Sequence, residues 1–231
     1  SFLGSEPSLV FSSKGHNVTI RGAKGSKTVS REFECSSPFE EIRRIVDGFK
    51  FVQVDGLPIF CGGLIGYMGY DMVRFAETLP DKNPDDLGAP DCVFMLSQDL
   101  IVFDHVNRKI KIVSNVILEK RSKKELKRSY DSAVRSINRL FGKLKNPLKN
   151  ETFPQKANTN IRVRSNMTKR GFMAAVRRAK EYIRSGDIVQ VVLSQRFKVK
   201  LTSRPIDIYR SLRSINPSPY MFFLKLNDMV L

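Results

Sequence analysis

The sequence predicts an α+β fold in which antiparallel sheets pack against helices. Three observations lead there. The N-terminal stretch reads as short strands separated by turn residues, an apolar block faces a second apolar run across a five-residue turn, and several segments carry apolar residues at three- and four-residue steps between helix-starting and helix-stopping residues. The chain has 231 residues with 41% hydrophobic content and 16 Phe, enough to fill the core of one large domain, or of one domain and part of another.

In chain order, strands are expected over Ser8–Ser12, Asn17–Arg21 and Thr28–Phe33, with turns at Lys14-Gly15 and Lys24-Gly25. Pro38 opens a helix to about Asp47, which turns Phe39, Ile42, Ile45 and Val46 inward and stops at Gly48. A glycine-rich block follows, Phe60 to Asp71. Its glycines Gly62, Gly63, Gly66 and Gly69 suggest an anion loop, but no Gly-Lys-Ser/Thr ending or Gly-x-Gly-x-x-Gly spacing accompanies them, so close backbone packing is the better reading. Cys92 to Asp104, rich in Val, Ile, Leu and Phe, is expected to pair with Lys109 to Val116 as a hairpin across residues 104–108.

Leu118 to Asn150 reads as an amphipathic helix, with Leu126, Tyr130, Ala133, Val134, Ile137, Leu140, Phe141 and Leu144 as its apolar stripe. A polar linker containing Pro147 and Pro154 follows, from Asn146 to Thr159. Thr168 can cap a helix to about Ser185 whose buried stripe is Phe172, Ala175, Val176, Ala179, Tyr182 and Ile183, with Gly186 as its stop. Then come a strand over Ile188–Lys200, a helix over Pro205–Ile215 and a strand over Tyr220–Leu226. Asn227-Asp228 turns that strand into Met229-Val230-Leu231. The chain starts on exposed Phe2 and Leu3 and stops inside an apolar strand, so it is expected to continue at both ends.

Composition narrows the function classes. Cys35, Cys61 and Cys92 lie far apart, with only His16 and His105 as other soft ligands, which does not make a zinc site; reduced, buried thiols and a cytoplasmic location are expected. No run of 18 apolar residues is present, and the first residues lack a secretion signal, so a soluble intracellular protein is expected. The formal charge is +17, and Leu118 to Asn150 alone holds 11 Lys/Arg against 3 Asp/Glu. Because that stretch is amphipathic, its cations fall mostly on the outward face. No RNA-recognition, zinc-finger or helix-turn-helix pattern accompanies them, so a solvated helix is favoured over nucleic-acid binding.

Three blocks carry chemistry or recognition. The first is Gly62-Gly63-Leu64-Ile65-Gly66-Tyr67-Met68-Gly69-Tyr70-Asp71, with Arg74, then Pro90-Asp91 and the strand from Asp99 to Asp104. The second runs from Tyr182 to Phe197. Its alternation puts Gln190, Ser194 and Arg196 on one face and Val189, Val191, Leu193 and Phe197 on the other. Read locally, that polar face is merely solvated. The third is Asn216-Pro217-Ser218-Pro219-Tyr220-Met221, where Asn216-Pro217 ends a helix and Pro219 stiffens the loop.

In order and spacing these blocks resemble the large subunit of anthranilate synthase, within the chorismate-utilising enzymes. The resemblance implies a two-sheet fold, here incomplete. Residues 1–117 would be its N-terminal antiparallel region, 118–160 a basic helix and linker, and 161–231 the start of the chorismate-binding domain. It further implies that the complete subunit converts chorismate and ammonia to anthranilate and pyruvate in tryptophan biosynthesis, with ammonia supplied by a glutamine amidotransferase partner.

Gln190 falls where water-using relatives resemble one another in carrying lysine. Glutamine cannot deprotonate water, only orient a nucleophile or a substrate oxygen, which fits ammonia as the nucleophile. By the same resemblance Pro219, Tyr220 and Met221 would bind L-tryptophan as feedback inhibitor, on a loop shaped by Asn216, Pro217 and Ser218. The other half of that site, a Leu-Leu-Glu-Ser stretch, would precede Ser1. The Mg²⁺ ligands and most of the catalytic machinery would follow Leu231, so the chain alone is expected to be inactive. The alternatives are a 4-amino-4-deoxychorismate synthase and, in another class, a basic nucleic-acid-binding or regulatory module.

Overall fold

The computed structural model describes residues 1–24, 27–52, 54–118, 122–147 and 161–231. It divides into two compact units, Ser1–Lys149 and Asn150–Leu231. Most of the expected Asn146–Thr159 linker lies outside the described residues.

In the first unit, β2 (Leu9–Lys14), β3 (Asn17–Lys24) and β4 (Lys27–Glu34) form a meander, each strand long enough to continue the alternation read from the sequence. Gly15 at φ +52° makes the first turn, a conformation that costs a side-chain-bearing residue about 1 kcal/mol. With β5 (Gly63–Met68) and β6 (Cys92–Ser97) the sheet order is β4-β3-β2-β6-β5, every pairing antiparallel. Phe11 stands opposite Ile20 on one side and Phe94 on the other.

Helix α1 (Pro38–Asp47) and a 3₁₀ turn over Tyr70–Phe75 lie against this sheet. Phe11, Val18, Met72 and Cys92, each at most 1% exposed, form the centre, and Phe33, Phe39, Ile42, Ile45, Phe75 and Phe94 surround it. Full burial of one such side chain stabilises by roughly 1.5–3 kcal/mol, so this cluster holds the unit. Val46, expected inward, is 50% exposed, because the inward stripe of α1 ends at Ile45.

A second sheet, order β1-β7-β8, uses β1 (Phe2–Gly4), β7 (Asp99–Asp104) and β8 (Lys109–Ser114). The hairpin across residues 104–108 is present, but Cys92–Asp104 is not one strand. It breaks at Gln98, so that β6 joins the first sheet and β7 the second. The break is bonded: the Gln98 carbonyl accepts from the backbone N–H of Asn115 (3.0 Å) and from its side-chain amide (3.0 Å), and that amide also donates to the Cys61 carbonyl (2.6 Å).

Helix α2 (Lys123–Lys145) starts at Ser122, whose hydroxyl accepts from the Glu125 N–H, and packs on β7 and β8. Its expected apolar stripe is only partly used. Leu140 is buried and Ala133 and Ile137 are half-buried, whereas Leu126, Tyr130, Val134, Phe141 and Leu144 are exposed. The stripe spans a wider arc than the strands beneath it cover, and the residues nearest the strands are the ones shielded.

In the second unit, β9 (Arg164–Ser165) pairs with β10 (Phe197–Lys198), and β11 (Lys225–Leu226) pairs with β12 (Met229–Val230). Helices α3 (Lys169–Ser185) and α4 (Pro205–Ile215) have the expected ends. Along α3, Phe172, Ala175, Val176 and Ala179 are half-buried as expected, but Tyr182 and Ile183 are exposed. Neither C-terminal strand has its expected length. Ile188–Lys200 carries ladder bonds only at β10, because among the described residues only Arg164–Ser165 offers it a partner; alternation marks faces but supplies no neighbour. Tyr220–Leu226 likewise pairs only from Leu224, which exchanges two backbone bonds with Leu231. The turn between is the Asn227-Asp228 pair, with Asn227 at φ +52°.

Candidate functional site

The glycine-rich block closes against its neighbour strand. A Cβ on Gly66 would land on the Val93 carbonyl and within 2.8 Å of the Phe94 Cα, and one on Gly69 would meet the Asp91 carbonyl at 2.9 Å. These glycines therefore serve strand approach, and β5 leads straight into the 3₁₀ turn that supplies Met72 to the core.

The polar residues of this first block form a brace. Tyr67 donates to the Pro90 carbonyl (2.5 Å). Asp91 accepts from the Gly15 N–H (2.6 Å), donates its own N–H to the Ser13 carbonyl (2.7 Å) and accepts from Gly69 (2.7 Å). Lys14 bonds Asp85 at 2.5 Å and lies 3.6 Å from Asp91. The Asp85 bond raises the Lys14 pKa, and the same bond lowers that of Asp85, while burial pushes the Tyr67 hydroxyl up. Arg74 bonds Asp71 (2.8 Å) and the carbonyls of Leu79 and Pro80. The motif's Tyr67, Asp91 and Arg74 thus pin loops, and Arg74 also borders an open depression with Phe75 and Leu79.

The second block begins at the left-handed Gly186 (φ +83°), where the Asp187 N–H reaches back to the Tyr182 carbonyl (3.0 Å) and the Asp187 carboxylate accepts from Ser185 (2.6 Å). Gln190 and Ser194 are exposed, and among the described residues Gln190 has no hydrogen-bond partner. Arg196 is half-buried and its backbone is clamped by Asn166: its N–H donates to Asn166 Oδ1 (2.8 Å) and its carbonyl accepts from the Asn166 N–H (3.2 Å). Ser165 also donates to Gln195 (3.3 Å). Asn166 was not singled out in the sequence, since its partner lies 30 residues away.

The third block caps α4. The Asn216 N–H donates to the Leu212 carbonyl (2.8 Å), and Pro219-Tyr220 forms a turn. Tyr220 is 89% exposed and Met221 half-buried. Among the described backbone hydrogen bonds outside helices and strands, none uses the Tyr220 N–H. Behind the loop, Phe223 packs on Tyr209 at 5.6 Å. Gln190 and the Asn216–Met221 loop thus both present polar groups to solvent, and no hydrogen bond or ion pair joins them among the described residues. No group of three His, Cys, Asp or Glu among the described residues could hold a metal ion, so the residues present do not form a Mg²⁺ site. Of the three thiols, Cys61 and Cys92 are buried and all are free, and no helix among the described residues is long and apolar enough to cross a membrane.

A family model described as chorismate binding enzyme matches residues 5–231. The chain is 40% identical over 230 residues to anthranilate synthase component 1 of Acetivibrio thermocellus, covering 97% of this chain and 45% of that protein. It is 41% identical over 175 residues to the Thermus thermophilus component 1, covering 76% and 35%. The crystal structure of anthranilate synthase component I from Streptococcus pneumoniae superposes with a TM-score of 0.77 at 28% identity, over 99% of this chain and 48% of that one. The chain thus spans less than half the length of these relatives.

Proposed function

The chain belongs to the chorismate binding enzyme family, and on that premise we propose that it is part of an anthranilate synthase component 1. The observation carrying this reading is the 40% identity maintained along 97% of the chain to a protein of that name.

In the proposed reaction ammonia adds at C2 of chorismate as the C4 hydroxyl leaves, and pyruvate is then eliminated to give anthranilate. Ammonia is already a competent nucleophile, so the site needs an orienting group and no base to activate water. Gln190 fills that role: its amide can accept from ammonia and donate to a substrate oxygen, and its exposure leaves both valences available to a ligand. Mg²⁺, when bound, would neutralise a substrate carboxylate; none of the residues described here is assigned to it.

The Asn216–Met221 loop is the proposed L-tryptophan feedback site. The Tyr220 N–H and the Pro219 carbonyl, on an exposed turn beside the half-buried Met221, suit the carboxylate and ammonium of an amino acid. A glutamine amidotransferase subunit as ammonia source and a cytoplasmic location complete the proposal.

The test uses the complete protein carrying this sequence, supplied with chorismate, ammonium and Mg²⁺. Appearance of anthranilate fluorescence is expected. Formation of 4-amino-4-deoxychorismate without anthranilate would overturn the assignment in favour of that related synthase. Calorimetric titration of L-tryptophan is expected to show binding that Pro219 and Met221 substitutions abolish, and unchanged binding would move the feedback site elsewhere.

A further inference from the structure

The positive charge is unevenly placed: residues 161–231 carry 15 Lys/Arg against 4 Asp/Glu. On α3 part of it is ordered. Arg170, Met173, Arg177, Lys180 and Arg184 follow one another at steps of three, four, three and four residues, the spacing that keeps side chains in line along a facing helix. All five are exposed, Met173 at 48%. Among the described residues none of the four cations meets a carboxylate. By contrast Arg178, on another face, bonds Glu181 at 3.1 Å and stacks over Tyr182. The half-buried stripe of Phe172, Ala175, Val176 and Ala179 lies on a different side of the helix, so the cationic seam is not the face that packs within the unit.

We propose that this seam is a docking surface for an acidic helix of another protein. From Arg170 to Arg184 it runs about 21 Å at 1.5 Å per residue, three turns and more of helix contact. Like charges at successive turns repel and destabilise an isolated helix, and a partner presenting carboxylates at the same spacing removes that repulsion. Met173 in the middle of the seam separates the two candidate partner classes. A phosphate backbone has no use for an exposed thioether among its cations, whereas a helix–helix seam packs one against an apolar side chain.

The test uses the full chain and a fluorescein-labelled 22-residue helical peptide bearing Glu at its a and d positions, with one Leu placed to meet Met173. The comparison probes are a peptide of the same composition with the Glu residues moved off the seam and a 22-base-pair DNA duplex. Fluorescence anisotropy is expected to show binding of the seam peptide that weakens with salt and is preferred over both comparison probes. R177E/R184E is expected to lower its affinity about tenfold or more, since two attractions become repulsions. K124E/R128E on α2 is expected to leave it unchanged. R177Q/R184Q, with far-UV circular dichroism as a check on folding, gives a second reading should the reversal unfold the unit. Equal affinity for the scrambled peptide, tighter binding of the duplex, or indifference to both α3 variants would overturn the proposal.

Discussion

Replacing Gly66 by alanine tests whether the glycine-rich block is a close-packing device. Gly66 pairs with Phe94 across the β5–β6 ladder, and the added methyl would meet the Val93 carbonyl and the Phe94 Cα, at 2.8 Å from the latter. Both obstacles are backbone atoms, held in place because β6 is itself bonded to β2 on its far side. On conformational entropy alone, glycine to alanine in a strand would stabilise by roughly 0.4–1 kcal/mol through the unfolded chain. The steric term has the opposite sign and is larger, about 1–3 kcal/mol or more for a group forced into a packed site. A net loss near 2 kcal/mol is therefore expected, which in a chain of this size lowers the thermal midpoint by roughly 4–8 °C. Gly22, where a new Cβ would come no closer than 3.4 Å to the Ser8 carbonyl, provides the matched substitution and is expected to change stability by less than about 1 kcal/mol. Urea or thermal unfolding followed by circular dichroism reads both. A Gly66→Ala protein as stable as the parent would refute the close-packing account and reopen a ligand role for the block.

Three further outcomes rest on single contacts of the first unit. Tyr67→Phe removes the donor to the Pro90 carbonyl and is expected to cost about 1 kcal/mol in urea unfolding, with no effect placing the brace elsewhere. The Asp104 carboxyl is lowered to about 2, first by the Asn107 side chain and then by the Asn107 backbone N–H. Its folded pKa lies below the unfolded value near 3.9, so its contribution is present above that value and is lost as pH falls through about 2; a carboxyl NMR titration with a midpoint near 4 would contradict this. Burial raises the Cys92 thiol, which Ser13 contacts at 3.1 Å, so Cys92 is expected to resist a thiol reagent at neutral pH until the unit unfolds. Prompt labelling of all three cysteines in the native protein would count against the core described here.

Helix ends were legible because their causes are local. Pro38 and Gly48, Thr168 and Gly186, and Pro205 each act within a turn of where they stand, and α1, α3 and α4 start and stop there. The meander of β2, β3 and β4 was legible for the same reason. What failed depended on distant partners. β1 has only three residues and exists because β7, nearly a hundred residues away, pairs with it. The split at Gln98 is invisible in an unbroken apolar run, since its cause is the bond pair from Asn115. Alternation over Ile188–Lys200 suggested two faces, but residues 188–196 form no strand and Val189, Val191 and Phe197 are exposed as Gln190 and Ser194 are, because alternation supplies no neighbouring strand. At the candidate site the Asn-Pro-Ser-Pro-Tyr-Met motif announced a stiff loop, whereas the Asn166 clamp on Arg196 needed coordinates.

The crossing at Gln98 makes β6 and β7 a single length of backbone shared by two sheets, and this sets how the first unit tolerates insertion and deletion. A one-residue change there leaves β6 in register with β2 and β5 but shifts β7 by one pleat, exchanging Leu100 and Val102 with Ile101 and Phe103 across the faces of the second sheet. The α2 contact on β7 and β8 would then meet the wrong side chains. The residue count between Cys92 and Asp104 is thus a fixed dimension of the fold.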